Sequence, residues 1–287
     1  MGPAGSRSVR MRATAHVFLF NLLCAKANIE YTAGIPHEVI AACSSRGLSI
    51  EYSDPTSRQG RVLQLLKTHS ESKELPFYID FSSERIQRRC KQAASELVVK
   101  AVRSGLPPGA LVYDFTAGLG RDSLLLAAAG LRVVMFERSS VLNLLLQDAL
   151  ERLHRTDPQL HSRLSLIHGD AAWCFPPGDA PDAVYLDPMY PSDEVGRRSN
   201  VKKETQMLHR ILEDEGSDDG NNRLLFEKAL ALAQQKVVVK RPIHCDALLQ
   251  SPPHTAIRGE RYRSIHILMS VGSTHRFDCY FTRRAST

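Results

Sequence analysis

Four carboxylates stand where short apolar runs end: Asp114 after LVY, Glu137 after RVVMF, Asp170 after LSLIHG and Asp187 after AVYL. Each run has the length and the β-branched or aromatic content of a strand covered on both faces. In an open α/β sheet, ligands bind outside the carboxyl ends of the strands, so these acids are expected along one rim. Clustered anions repel one another, and such a row calls for a ligand bringing positive charge and hydroxyl or amino donors.

Asp187 also opens the run Asp187-Pro188-Met189-Tyr190-Pro191. An amino group on an aromatic ring is a poor nucleophile because its lone pair is drawn into the ring. A side-chain oxygen and a backbone carbonyl that accept its two N–H bonds return that density to nitrogen, and a carboxylate can take the proton afterwards. Tyr190 is suited to stacking on an unpaired base. Asp187, Pro188 and Tyr190 are therefore the candidate catalytic residues, with the carbonyl of Met189 as the second acceptor.

The turn that follows Asp114 narrows the ligand. Residues 111–122, LVYDFTAGLGRD, read as strand, glycine turn and helix start, with Gly118 and Gly120 letting a ligand approach the backbone. A dinucleotide fingerprint would place a third glycine at 123, where Ser123 stands, which weakens a nicotinamide reading. An acid followed by a small residue and two spaced glycines is instead the pattern of S-adenosylmethionine-dependent methyltransferases. On that reading Asp114, Gly118 and Gly120 form the cofactor turn. Glu137 takes the ribose hydroxyls, Asp170 the adenine amino group, and Arg121 and Asp122 the methionine carboxylate and ammonium.

The elements that must hold these residues follow from the pattern. Strands are expected at 111–114, 132–137, 164–169, 183–187 and 236–241, with helices between them, among them one capped by Ser139 or Ser140 and one over about 224–235. SIHILMSV (264–271) and HRFDCYF (275–281) are separated by a short turn and are expected to pair as a hairpin. Upstream, a helix over 36–46 and strands at 16–20, 48–52, 61–66 and 77–81 suggest a small α+β domain over 14–82, after a basic tail at 1–13 and before a larger domain at 83–287. Residues 84–104 read as one helix carrying Arg85, Arg88, Arg89 and Lys91 on its polar side.

Composition sets outer limits. The 287 residues carry a formal charge of +6, which permits a polyanionic partner. Apolar runs fall short of the ~20 residues needed to span a bilayer. The six cysteines are scattered without zinc spacing, so neither a metal site nor a disulfide framework is expected. The first 29 residues contain no acid and include Arg7, Arg10 and Arg12, so the expected compartment is the cytoplasm, or an organelle matrix if this start acts as a transit segment.

YDFTAGLGRDS (113–123), Glu137-Arg138, LIHGDA (166–171), VYLDPMYP (184–191), VKKE (201–204), KVVVKRP (236–242) and HRFDCYF (275–281) together resemble the ribosomal RNA small-subunit methyltransferase J family. The resemblance implies a Rossmann-like class I methyltransferase fold with a seven-stranded mixed sheet that ends in an antiparallel hairpin. It implies S-adenosylmethionine as cofactor and the exocyclic N2 of a guanine in 16S-type rRNA as acceptor. It adds Arg138 and Ala171 to the cofactor set and brings Asp187 into it. Lys202 and Lys203, with Lys240 and Arg241, then become candidate contacts to rRNA phosphates, and His275, Arg276 and Asp278 candidate structural residues. The chain departs from the family in carrying IQRRCKQAASELV (86–98) where a glycine-rich segment is usual, and in apparent insertions at 193–200, 213–222 and 251–263. A silent rRNA-binding factor on the same fold, and less so a nicotinamide-dependent oxidoreductase, are the competing readings.

Overall fold

The computed structural model describes residues 34–56, 61–68, 76–174, 178, 180–188, 203–212, 219–243, 262–268 and 275–282. Its centre is a seven-stranded sheet. The strands are β3 (Leu111–Asp114), β4 (Arg132–Glu137), β5 (Leu164–His168), β6 (Ala183–Leu186), β7 (Lys236–Pro242), β8 (Tyr262–Leu268) and β9 (His275–Thr282). They lie in the order β5-β4-β3-β6-β7-β9-β8. β3 pairs in parallel with both β4 and β6, and β6 with β7, whereas β9 runs antiparallel between β7 and β8. The chain moves outward from β3 to β5 and then returns to β6, so the order reverses between β3 and β6 and leaves a crevice at their carboxyl ends.

Alternation along these strands divides the core in two. Val112, Tyr185 and Val238 pack with the helices α2 (Glu84–Lys91), α3 (Leu97–Arg103), α4 (Arg121–Ala128) and α5 (Ser140–Thr156). Tyr113, Val184, Leu186 and Val239 face the other way, against Leu225, Phe226 and Ala229. The short α6 (Pro158–His161) leads into β5, and α7 (Lys203–Leu212) precedes α8 (Asp219–Leu232), which carries those three residues. α7 was not foreseen in the sequence, and α8 begins at Asp219, so the last residues of the supposed insertion at 213–222 are helical.

The N-terminal segment contributes α1 (His37–Ser44) and the antiparallel pair β1 (Leu48–Tyr52) and β2 (Leu63–Lys67). Val39, Leu48, Leu65, Ile79 and Phe81 join the same apolar cluster as α4 and α5. The strand expected at 77–81 does not form beyond a bridge between Phe77 and Leu65. Its carbonyls go to side chains instead: Arg152 donates to Ile79 O and Gln87 Nε2 to Phe81 O. Asp80 ends the extended run by accepting from the amide and hydroxyl of Ser82.

The helix expected over 84–104 is broken. α2 stops at Lys91, a 3₁₀ turn spans Ala93–Ser95, and Glu96 is extended before α3. The break brings Glu96 back to Arg89, which holds it with two hydrogen bonds of 2.8 and 2.9 Å. The expected strand at 16–20, the basic tail, Met189, Tyr190, Lys202 and the stretches 193–200 and 251–261 lie outside the described residues.

Candidate active site

The strand-end acids converge as the parallel register requires. Asp114 ends β3 opposite Tyr185 of β6, and Leu186 is opposite Val239 of β7, so Asp187 and Lys240 come next on neighbouring strands. Asp114, Tyr185, Asp187 and Lys240 share the face covered by α4, and all four line a cleft of about 470 Å³. Gly118, Arg121, Asp122, Glu137, Arg138, Asp170, Ala171 and Pro188 complete much of its wall.

Asp114 is the foundation of the turn. It is 1% exposed, and its Oδ2 accepts from Ser123 Oγ at 2.6 Å while Oδ1 accepts from Thr116 N at 3.0 Å. Burial pushes its carboxyl up to about 7, against the pull of those hydrogen bonds. The serine in place of a third glycine thus has a structural use: it satisfies a buried carboxylate beneath the turn. Thr116 passes the order outward, its Oγ1 accepting from Asp187 N at 2.6 Å.

Gly118 and Gly120 adopt positive φ, 53° and 68°. At Gly120 a β-carbon would lie 2.7 Å from Leu146 Cδ2 and 3.1 Å from Phe81 Cζ, so this glycine serves packing as well as the turn. Gly120 caps α4, and Arg121 and Asp122 follow in the first helical turn. At the end of β4, the carboxylate of Glu137 accepts from Gly118 N and Ser139 N, each at 2.8 Å, which fixes its plane at the cleft wall. Asp170 Oδ1 accepts from Ala172 N at 2.8 Å in the turn after β5.

Lys240 joins two of the carboxylates. Its Nζ lies 2.7 Å from Asp187 Oδ2 and 3.1 Å from Asp122 Oδ2, and Tyr185 donates its hydroxyl to Asp122 at 2.7 Å. Burial opposes the charge of Lys240, but Asp187 and Asp122 outweigh it and hold the ammonium well above its ordinary range. Burial likewise acts against Asp122, where Lys240 and the Tyr185 hydroxyl prevail and keep the carboxyl low. At Asp187 burial and the neighbouring Asp122 win over Lys240, and its carboxyl is raised.

The candidate phosphate contacts separate. Lys240 turns into the cleft, and Arg241, the next residue of the strand, is 6% exposed on the opposite face of β7. Of the two, only Lys240 lines the cleft. Lys203 begins α7. His275, Arg276 and Asp278 sit on β9, where Arg276 pairs with the fully buried Asp278 at 2.9 Å and donates to Ile243 O at 2.8 Å. Arg85 and Arg89 of α2 and Leu208 and Leu212 of α7 also line the cleft, which sequence patterning did not assign. The lysine had a usable signal: a cation at the end of the strand next to Asp187 is the natural counter-charge of an acidic rim. Among the described residues, no group of three or more His, Cys, Asp or Glu side chains is placed to hold a metal ion.

The donor set fits an adenosylmethionine-sized ligand in both volume and charge. Its carboxylates suit hydroxyls, amines and a sulfonium, and the cleft lies within the ~300–1,000 Å³ usual for small-molecule pockets. Comparison with known proteins agrees. Residues 56–282 match a family model described as putative SAM-dependent methyltransferase. The ribosomal RNA small subunit methyltransferase J of Pseudoalteromonas atlantica is 38% identical over 73% of this chain and 86% of its own length. The protein of that name from Pasteurella multocida is 36% identical over 86% and 95%, respectively. A crystal structure of a SAM-dependent methyltransferase from Neisseria gonorrhoeae, 26% identical, superposes with a TM-score of 0.58 over 88% of this chain and 94% of that one. With its sheet order, its acid-lined crevice and this extent of identity, the chain belongs to the ribosomal RNA small subunit methyltransferase J family of SAM-dependent methyltransferases.

Proposed function

We propose that the protein transfers a methyl group from S-adenosylmethionine to the exocyclic N2 of a guanine in small-subunit rRNA. The observation that carries this reading is the Asp187 carboxylate, 34% exposed at the end of β6 and followed by Pro188, on the same cleft as Glu137, Asp170 and Asp122. Two kinds of site thus meet in one crevice, one suited to a nucleoside with a cationic tail and one suited to an aromatic amine.

Each side chain has a role that its surroundings permit. Glu137, its plane fixed by two backbone amides at the cleft wall, faces the ribose hydroxyls. Asp170 accepts the adenine amino group beside Ala171. Asp122 receives the methionine ammonium, and Arg121 and the start of α4 receive the carboxylate. Bound S-adenosylmethionine supplies an electrophilic methyl carbon whose bond to sulfur breaks as the bond to nitrogen forms. Asp187 Oδ2 is held by Lys240, which leaves Oδ1 to accept one N–H of the guanine amine. The Met189 carbonyl takes the other N–H and Tyr190 stacks on the base, as the motif suggests. Holding the amine in line with the methyl is the larger part of catalysis, a proximity effect.

The substrate is the rRNA itself or the small subunit that contains it. The compartment is that of this RNA: the cytoplasm, or an organelle matrix if the arginine-bearing start directs import.

Tritiated S-adenosylmethionine incubated with the protein and unmodified small subunits tests this directly. Label should enter small-subunit rRNA and appear, after digestion, in N2-methylguanosine. Asp187→Ala should abolish incorporation while adenosylhomocysteine still binds, measurably weaker, by calorimetry. Label on a different atom, or full activity in the variant, would refute the assignment.

A further inference from the structure

We propose that Lys240 is a positioning residue for the reaction: its ammonium, shared between Asp187 and Asp122, fixes the charge and the orientation of the carboxylate that receives the substrate amine. The inference rests on the methyl-transfer reading above and goes beyond the phosphate contact that the sequence suggested for this lysine.

The geometry leads there. Lys240 Nζ is within hydrogen-bond distance of both carboxylates, and its side chain is 22% exposed, so it is turned into the cleft rather than out to solvent. Asp187 has charged or titratable neighbours on every element packed around it: Asp114 of β3, Asp122 of α4, Tyr185 of β6, Lys240 of β7 and His275 of β9. Asp114 and Asp122 add negative charge, Tyr185 is neutral and spends its hydroxyl on Asp122, and His275 is disfavoured as a cation by its own burial and by Lys240. The ammonium at 2.7 Å is therefore what opposes protonation of Asp187.

The charge state decides the chemistry. An ionised Asp187 offers Oδ1 as an acceptor to the amine N–H, with Oδ2 anchored. A protonated Asp187 would be a poorer acceptor for that N–H and could not take the proton that the methylated amine releases. Strong basicity is not needed. As the carbon–nitrogen bond forms and the carbon–sulfur bond breaks, sulfur keeps the electron pair and becomes a neutral thioether, and nitrogen becomes an arylammonium. That cation is acidic enough to release its proton to a weakly basic carboxylate and thence to water. A lysine that lowers the basicity of Asp187 while keeping it charged is thus compatible with turnover.

Lys240→Met and Lys240→Arg, compared with wild type across pH, test the proposal. In K240M, kcat should fall about 100-fold or more at pH 7, the scale of a lost acid–base contribution. The acid limb of its rate profile should move to higher pH, so that much of the loss is regained towards pH 9. K240R should stay within about tenfold of wild type and keep the wild-type limb. Because Lys240 also touches Asp122, rates are compared at saturating S-adenosylmethionine, and rRNA affinity by filter binding should remain within about threefold, a factor worth less than 1 kcal/mol. In cofactor-free protein, carbon-13 NMR of the aspartate carboxyls should show the Asp187 titration moving upward in K240M. If K240M loses its cooperative melt, Lys240→Gln replaces it, with the same expectations. A loss that is uniform across pH with an unmoved Asp187 titration would overturn the proposal. So would unchanged kcat with weakened rRNA binding, which would return Lys240 to a phosphate role. Wild-type protein that transfers no methyl would instead defeat the functional reading itself, and the NMR titration would still report on the pair.

Discussion

Single residues here act through what neutralises them. Asp114 is buried and its carboxyl is raised to about 7, whereas in the unfolded chain it sits near 4. Between those values the native protein retains a proton that the unfolded chain has released. Stability contributed by this group is therefore present at low pH and lost as pH rises through the window. Asp114→Asn removes the titration. Unfolding by denaturant at pH 4.5 and 7.5 should show wild type losing stability relative to the variant, on the order of 3 kcal/mol at most. No difference between the two pH values would contradict a buried, proton-retaining Asp114. The sequence marks this residue as a strand-end acid at the rim, and the structure adds a second use, since it lines the cleft and also anchors the turn from below. That second use depends on Ser123 donating to it from the next helix, a contact that sequence spacing does not encode. Adjacent Lys240 and Arg241 teach a related lesson, since neighbours on a strand face opposite ways and only one of a basic pair can enter a given cleft.

At the scale of elements, the turn between β3 and α4 was legible because glycine spacing and apolar runs are local signals. Gly120→Ala would force a side chain into φ 68° and against Leu146 and Phe81. The expected loss is about 2–4 kcal/mol, from left-handed strain plus overpacking. Gly109 has a similar φ of 72° and nothing within 4 Å of its missing β-carbon, so Gly109→Ala should cost only about 1–2 kcal/mol. Thermal melts of the two variants separate strain from packing, and equal losses would show that Leu146 and Phe81 yield freely. The expected single helix over 84–104 breaks for the complementary reason. Its pattern carries no glycine or proline to mark a stop, and the break at Gln92–Glu96 goes with a contact between Glu96 and Arg89 that local patterning does not encode. Arg85 and Arg89, on the helix before the break, line the cleft.

Across the whole molecule, the N-terminal segment and the methyltransferase sheet share an apolar cluster, with Phe81 at the join, 2% exposed. The sequence suggested a separate small domain, and we retain 14–82 as a proposed unit, one that supports the cofactor turn from beneath. Phe81→Ala should then cost about 3–5 kcal/mol of stability. It should also weaken adenosylhomocysteine binding, although residue 81 does not line the cleft. Calorimetry at a temperature where the variant remains folded checks the second effect, and unchanged affinity would confine Phe81 to packing. The long-range order of the sheet has a consequence for biosynthesis. β9 threads between β7 and β8, so the strand bearing Lys240 keeps a bare edge until residues 275–282 have left the ribosome. A nascent chain stalled before that point carries an unpaired strand edge open to aggregation and has no completed sheet behind its crevice, which makes it a natural client for chaperones or proteases.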